Sequence, residues 1–124
     1  FGQVSAVRHK VTGRKLACKC IGVEDLHDWR LVENEVGLLK RLDHPNILRL
    51  SECFVDGLNI YLVTELLDGG PLLEGFRKRG APAAAALPSY LRQILGAAAF
   101  CHARGVVHRD LKPDNVLYAT PAPD

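Results

Sequence analysis

The feature that most constrains the fold of this chain is a change of apolar period at "LDGGP", residues 67–71. Before it, alternating stretches bracket a single helical one. After it, every apolar pattern has the period of a helix. In "LACKCI", residues 16–21, side chains alternate faces, so Ala17, Lys19 and Ile21 share one side of a strand and Leu16, Cys18 and Cys20 the other. Strands are expected at 3–8 and 14–21, separated by the turn-like "KVTGR", and near 48–54 and 60–66, joined by "VDGLN". Between the two pairs, from about Asp28 to Leu42, the spacing of Leu31, Glu35, Leu38 and Leu42 beside Val32, Val36 and Leu39 predicts a helix. "HPNI" at 44–47 ends it, as its proline should.

Glu35 falls within that apolar stripe. Two readings stand: a rim glutamate that snorkels to water, or a half-buried carboxylate that needs a cationic partner, for which the strand lysine Lys19 is suited. Past the "LDGGP" boundary, 72–79 predicts a short helix. The stretch "GAPAAAALPSYLRQILGAAAFCHARG" then predicts a longer one, with Leu87, Leu91, Ile94, Ala98 and Cys101 at helical spacing and a stop at Gly105. Pro88 is tolerable only near its first turns. The alanine run favours helix by propensity, although low-complexity drift explains it equally. His102 is expected to be a packed or capping histidine. Strands around one helix, followed by helices, is an α+β order.

Composition narrows the chemistry. A hydrophobic share of 48% and a charged share of 24% are those of an ordinary globular chain, and the formal charge of +2 singles out no partner. Lys40, Arg41 and Arg49, or Arg77, Lys78 and Arg79, read as solvated faces without interleaved aromatics, so no nucleic-acid partner is expected. No apolar run approaches the roughly 20 residues of a membrane helix, so no membrane partner is expected, and no signal peptide opens the chain. A start at Phe1 in a sequence without methionine points to a fragment. Cys18, Cys20, Cys53 and Cys101 have no framework spacing, and the CxC pair is a weak zinc signal. Reduced, packed cysteines and a cytoplasmic location follow as expectations.

Residues 108–115, "HRDLKPDN", concentrate a histidine, an arginine, two aspartates, a lysine and an asparagine. With its flanks, "VVHRDLKPDNVLY" resembles the catalytic loop of eukaryotic protein kinases, HRD-L-x-x-x-x-N. Upstream stretches support the resemblance in order. "FGQV" is similar to the end of a glycine-rich nucleotide loop, "LACK" to the strand-lysine motif, Glu35 to the helix glutamate, and "YLVTELLDGG" to the last strand and hinge. Lys112, two positions after Asp110, is the serine/threonine pattern. "ENEVGLLKRLDHPNI" and "LKPDNVLYATPAPD" look most like the calcium/calmodulin-dependent kinase group. The resemblance covers essentially the whole chain. It implies an incomplete two-lobe α+β kinase fold: 1–66 as the strand-rich lobe, 67–71 as the hinge, and 72–124 as the start of the helical lobe.

What the resemblance implies for individual residues follows from phosphoryl transfer, which needs neutralised phosphates and a hydroxyl placed in line. Lys19 would hold the ATP phosphates and pair with Glu35. Gly2 would be the last glycine of the phosphate loop, where a missing side chain lets the backbone approach. Val4, Ala17 and Leu117 would line the adenine slot, Thr64 would be the gatekeeper, and Glu65 and Leu67 would present hinge backbone to the adenine edge. Asp110 would be the base or orienting residue for the protein substrate's hydroxyl. Lys112 would stabilise the transferring group, and Asn115 would hold Mg2+. Arg109 would reach a phosphorylated activation segment, His108 would be structural, and Asp114 would read basic residues of the substrate.

Two departures qualify this. Pro71 stands where many relatives carry a glutamate, which removes one determinant of preference for an upstream arginine. No DFG motif or activation segment follows Leu117. The implied function is ATP- and Mg2+-dependent phosphorylation of serine or threonine in proteins, with the 124 residues alone inactive and, on helices short of partners, poorly soluble or partly molten. Calcium or calmodulin control would reside outside this chain. The alternative is a truncated, pseudokinase-like binding or regulatory module.

Overall fold

The structure, a computed structural model, describes residues 3–24 and 26–120. The phosphate-loop glycine expected at Gly2 lies outside them. Two compact units divide the chain at Leu66/Leu67, inside the change of apolar period.

The first unit is an antiparallel sheet of four strands, β1 (Gln3–Arg8), β2 (Lys15–Gly22), β3 (Leu50–Asp56) and β4 (Asn59–Glu65), with one helix, α1 (Leu26–Arg41). The sheet order is β1-β2-β4-β3. Both hairpins turn on glycines in the left-handed region, Gly13 at φ 70° and Gly57 at φ 58°, where a Cβ would be strained. Residues opposite one another in an antiparallel ladder share a face, so the register settles what each face carries. Val4 lies opposite Lys19 and Ala6 opposite Ala17. Lys19 in turn lies opposite Leu62, Ala17 opposite Thr64, and Ile21 opposite Ile60. Val4, Ala17, Lys19, Ile21, Ile60, Leu62 and Thr64 therefore line one face. Leu16, Cys18, Cys20, Tyr61 and Val63 line the other.

Helix α1 covers the end of the first face that carries Ile21, Ile60 and Leu62. Val32 and Val36 join these three and Val23 in one buried cluster, with Trp29, Leu50 and Cys53 packed on it. Asp28 in the first turn and Lys40 and Arg41 in the last complement the helix dipole. The buried stripe is thus the valine one. Leu31 is 55% exposed and Glu35 is exposed, whereas the sequence placed both on the apolar stripe. Two adjacent stripes on one helix have the same spacing, and the sheet receives the one that carries Val32 and Val36.

The second unit carries α2 (Leu72–Arg79), α3 (Leu87–His102) and a 3-10 turn at Pro113–Asn115. Helix α3 starts after the alanine run. Ala86 is its N-cap and Pro88 sits within the first two positions, where a missing N–H costs nothing. Were the helix to begin within the alanines, Pro88 would break an interior hydrogen bond, so proline overrides the propensity of alanine. No residue of α3 is buried, and Leu91 and Leu95 are 55% and 62% exposed. His102 is likewise exposed; its carbonyl, not its ring, accepts the Gly105 N–H at 3.0 Å. Among the described residues Leu72 is the one large apolar side chain of this unit that is buried. All four cysteines are free and half-buried, and burial, with Cys20 adding to it, pushes the Cys18 thiol up.

Candidate functional site

The residues singled out by the sequence fall into a set on each unit. In the first, β2 and β4 carry Ala17, Lys19 and Thr64 on one face, with Val4 of β1 beside Lys19. This is the part of the face beyond the Ile21, Ile60 and Leu62 cluster, and Val4 is 63% exposed there. The Thr64 hydroxyl donates to the Glu65 carbonyl at 3.2 Å, and the Glu65 carboxylate accepts the Arg49 N–H at 3.1 Å. Both contacts fix the end of β4. Glu35 is not brought to Lys19: among the described residues no ion pair within 4 Å joins them. The exposed position of Glu35 on α1 accounts for this, since the buried valine stripe sets the rotation of the helix.

In the second unit the polar segment closes on itself. Arg109 takes φ 69°, an uncommon conformation for a residue with a side chain. It reverses the chain so that the Asp110 N–H donates to His108 Nδ1 at 3.2 Å. The Asn115 amide donates to the Asp110 carbonyl at 2.8 Å and to Asp110 Oδ2 at 3.0 Å. Lys112 Nζ lies 3.2 Å from the same Oδ2. The hydrogen bonds from Lys112 and then from Asn115 hold the Asp110 carboxyl below the usual carboxylate range. One oxygen of Asp110 is therefore doubly held, while Oδ1 has no protein partner among the described residues and is open to a hydroxyl. Asn115 spends its amide hydrogens on Asp110 and keeps Oδ1 unbonded, a hard oxygen donor of the kind Mg2+ prefers. Asp114 and Leu117 are exposed beside it.

The segment is anchored partly by Pro71 and Leu117, which the sequence singled out for other reasons, and partly by Leu72, Gly75, Tyr90 and Tyr118, for which it offered no role. Pro71 pairs with Leu117 in an isolated antiparallel bridge. The bonds are made by the neighbours: Leu72 N–H donates to Val116 O at 2.8 Å and Tyr118 N–H to Gly70 O at 2.9 Å. Pro71 thus needs no N–H of its own. Tyr118 lies edge-on to Tyr90, with ring centroids 6.1 Å apart, and Arg79 sits 5.8 Å over its ring. A Cβ at Gly69 would collide with Tyr118 Cβ and the Thr120 carbonyl oxygen; at Gly75 it would come within 2.8 Å of Tyr118 Cε2. Of the paired glycines in the expected hinge, Gly69 is a close-approach site, whereas Gly70 has open space around it and instead takes φ 70°. Gly69→Ala is expected to destabilise this anchoring by about 1–3 kcal/mol, since the obstacle includes backbone. Amide exchange at Leu72 and Tyr118 should accelerate accordingly, and unchanged exchange would contradict the close approach.

Comparison with known proteins places these residues among relatives. The family description "Protein kinase domain" matches residues 1–122. Calcium/calmodulin-dependent protein kinase type 1B of Rattus norvegicus is 38% identical over 125 aligned positions, which cover 100% of this chain and 36% of that protein. Calcium-dependent protein kinase 5 of Plasmodium falciparum (isolate 3D7) is 37% identical over 118 positions, 95% of the chain and 21% of the relative. Calcium/calmodulin-dependent protein kinase type IV of Homo sapiens is 47% identical over 97, or 78% and 20% respectively. The chain spans between a fifth and somewhat over a third of the length of these relatives.

Proposed function

The chain belongs to the protein kinase family, and on that premise we propose that the protein transfers the γ-phosphoryl group of ATP to serine or threonine hydroxyls of protein substrates. The observation that carries this reading is the Asp110 carboxylate, pinned at Oδ2 by Lys112 and Asn115 and open at Oδ1. Asp110 Oδ1 accepts the proton of the substrate hydroxyl as the oxygen attacks phosphorus. Lys112 serves as the adjacent cation that meets charge developing on the transferring group. Bound MgATP supplies the phosphoryl group and the metal charge that neutralises its oxygens. Asn115 Oδ1 would hold the metal, and Lys19, on a strand face that also presents Ala17 and Thr64, would hold the phosphates. Val4, Glu65, Leu67 and Leu117 complete the nucleotide-binding set that the family resemblance implies.

The serine/threonine preference rests on Lys112, two positions after Asp110. The names of the relatives carry calcium or calmodulin dependence, which we extend to this protein as control exerted from outside the 124 residues. Four free cysteines support a reducing, cytoplasmic setting. The 124-residue chain alone is proposed to be inactive, because Lys19 lacks its Glu35 partner and no DFG aspartate lies within it.

The test is incorporation of phosphate from MgATP into serine- and threonine-bearing peptides, using the protein at its full cellular length beside the 124-residue chain. Transfer by the first and none by the second is the expected result. No transfer by either would move the reading to a non-catalytic regulatory module. In the active form, Lys19→Met is expected to raise the KM for ATP about 10- to 100-fold through loss of a charged hydrogen bond, measured by initial rates against ATP concentration.

A further inference from the structure

The tip of the β1–β2 hairpin concentrates charge that phosphoryl transfer does not use. Between Arg8 and Lys15 stand Arg8, Lys10, Arg14 and Lys15, four of the chain's 16 lysines and arginines, with no carboxylate among them. Among the described residues none of the four takes part in an ion pair; the carboxylate nearest the turn is that of Glu52, whose Oε1 lies 4.0 Å from His9 Nε2. The hairpin nevertheless holds a defined shape. His9 N–H donates to Arg14 O at 2.8 Å, Gly13 N–H donates to His9 O at 2.9 Å, and His9 Nδ1 accepts from Thr12 N–H at 3.1 Å. Arg8 reaches over the turn to donate to Gly13 O at 2.9 Å. Thr12 stands at the apex, exposed, beside Val11 at 89% exposure, and its hydroxyl oxygen accepts the Arg14 N–H at 3.3 Å.

We propose that Thr12 is a phosphoacceptor for an arginine-directed serine/threonine kinase. Such an enzyme recognises cationic side chains shortly before the acceptor, and Arg8 and Lys10 precede Thr12 by four and two positions. Among the described residues, Ser5, Ser51 and Thr64 lie within strands, Ser89 lies in α3, and the exposed Thr120 has no lysine or arginine in the seven positions before it, which leaves Thr12 as the hydroxyl displayed at a cationic turn. In the step, Thr12 Oγ attacks the γ-phosphorus of MgATP. The Oγ–P bond forms, the bond to the bridging oxygen breaks, ADP leaves, and the hydroxyl proton passes to a base of the modifying enzyme. The ester brings close to two negative charges at neutral pH into a turn with four unpaired cations. Arg8, already seated on Gly13 O, keeps further N–H donors for it. The modification therefore tightens the hairpin and cancels the local positive field.

The experiment incubates the protein at its full cellular length, carrying Asp110→Asn to silence its own transfer, with MgATP and the catalytic subunit of an arginine-directed kinase, then maps phosphate by peptide mass spectrometry. The modifying enzyme is supplied, so the result does not depend on whether this chain is itself active. One phosphate at Thr12 is expected, retained in Thr12→Ser and lost in Thr12→Ala. Replacing Arg8 and Lys10 together by alanine should slow incorporation about tenfold, as loss of charge complementarity at recognition does. In the modified chain, amide exchange at Gly13 should slow, and Arg8→Ala should remove that slowing. Phosphate confined to other residues, equal incorporation into Thr12→Ala, or a rate indifferent to Arg8 and Lys10 would each overturn the proposal.

Discussion

Asp110→Asn is expected to lower kcat for peptide phosphorylation about 10²- to 10⁴-fold and to leave the KM for ATP within about twofold. The substitution keeps the size of the side chain and one oxygen acceptor, so the turn built by Arg109 and the Asn115 bond to the Asp110 carbonyl survive. What disappears is the negative charge beside Lys112 and the basicity of Oδ1, the Asp110 oxygen without a protein partner among the described residues. A residue that merely shaped the segment would respond differently: its loss would move both constants, and the amide would rescue it. The same geometry sets the acid limb of the wild-type pH profile. Lys112, then Asn115, lower the Asp110 pKa, so the carboxylate persists as pH falls past the usual carboxylate value. Activity that depends on it is lost only when pH drops through the lowered folded value. Steady-state kinetics on the full-length protein checks both statements: no loss of kcat through Asp110 is expected at any pH above the usual carboxylate range, and a kcat indifferent to Asp110→Asn would remove the base assignment.

How much of this was legible in the sequence depended on how local the interactions are. In the 108–115 segment every partner lies within five residues, from the His108 acceptor to the Asn115 amide. Residue order alone therefore brings the groups together. The strand pairs were legible for a similar reason: alternation in "LACKCI" already separates Lys19 from Cys18 and Cys20, and the register repeats that division. The rotation of α1 was not legible. Neighbouring stripes on a helix differ by only about 100° and share one period, so Leu31 with Glu35 and Val32 with Val36 satisfy it equally until a sheet exists to choose. Nor did any local pattern connect Gly69 and Gly75 with Tyr118. Their relation arises only when the bridge between Pro71 and Leu117 forms. The start of α3 was legible as well: a proline is admitted only in the first turns, and the helix begins at Leu87, one residue before Pro88.

The choice of stripe can be measured on the folded chain. Leu62 is 3% exposed, packs with Val32 and Val36, and lies opposite Lys19 in the ladder. Leu62→Ala leaves a cavity between sheet and helix and is expected to cost the first unit about 2–5 kcal/mol. That is a large fraction of the roughly 5–15 kcal/mol that holds a whole domain. Leu31→Ala, at a site 55% exposed, should stay within about 0.5 kcal/mol. Trp29 is the chain's single tryptophan and packs on this cluster, so its fluorescence during urea unfolding reports this unit. A midpoint that falls sharply for Leu62→Ala and holds for Leu31→Ala fixes the valine stripe against the sheet and leaves Glu35 facing water. Closing the Lys19–Glu35 pair would then require α1 to turn about its axis or shift along the sheet, against the packing of Val32 and Val36. Comparable losses from both variants would instead put Leu31 and Glu35 on the packed side, and the absent ion pair would need another cause.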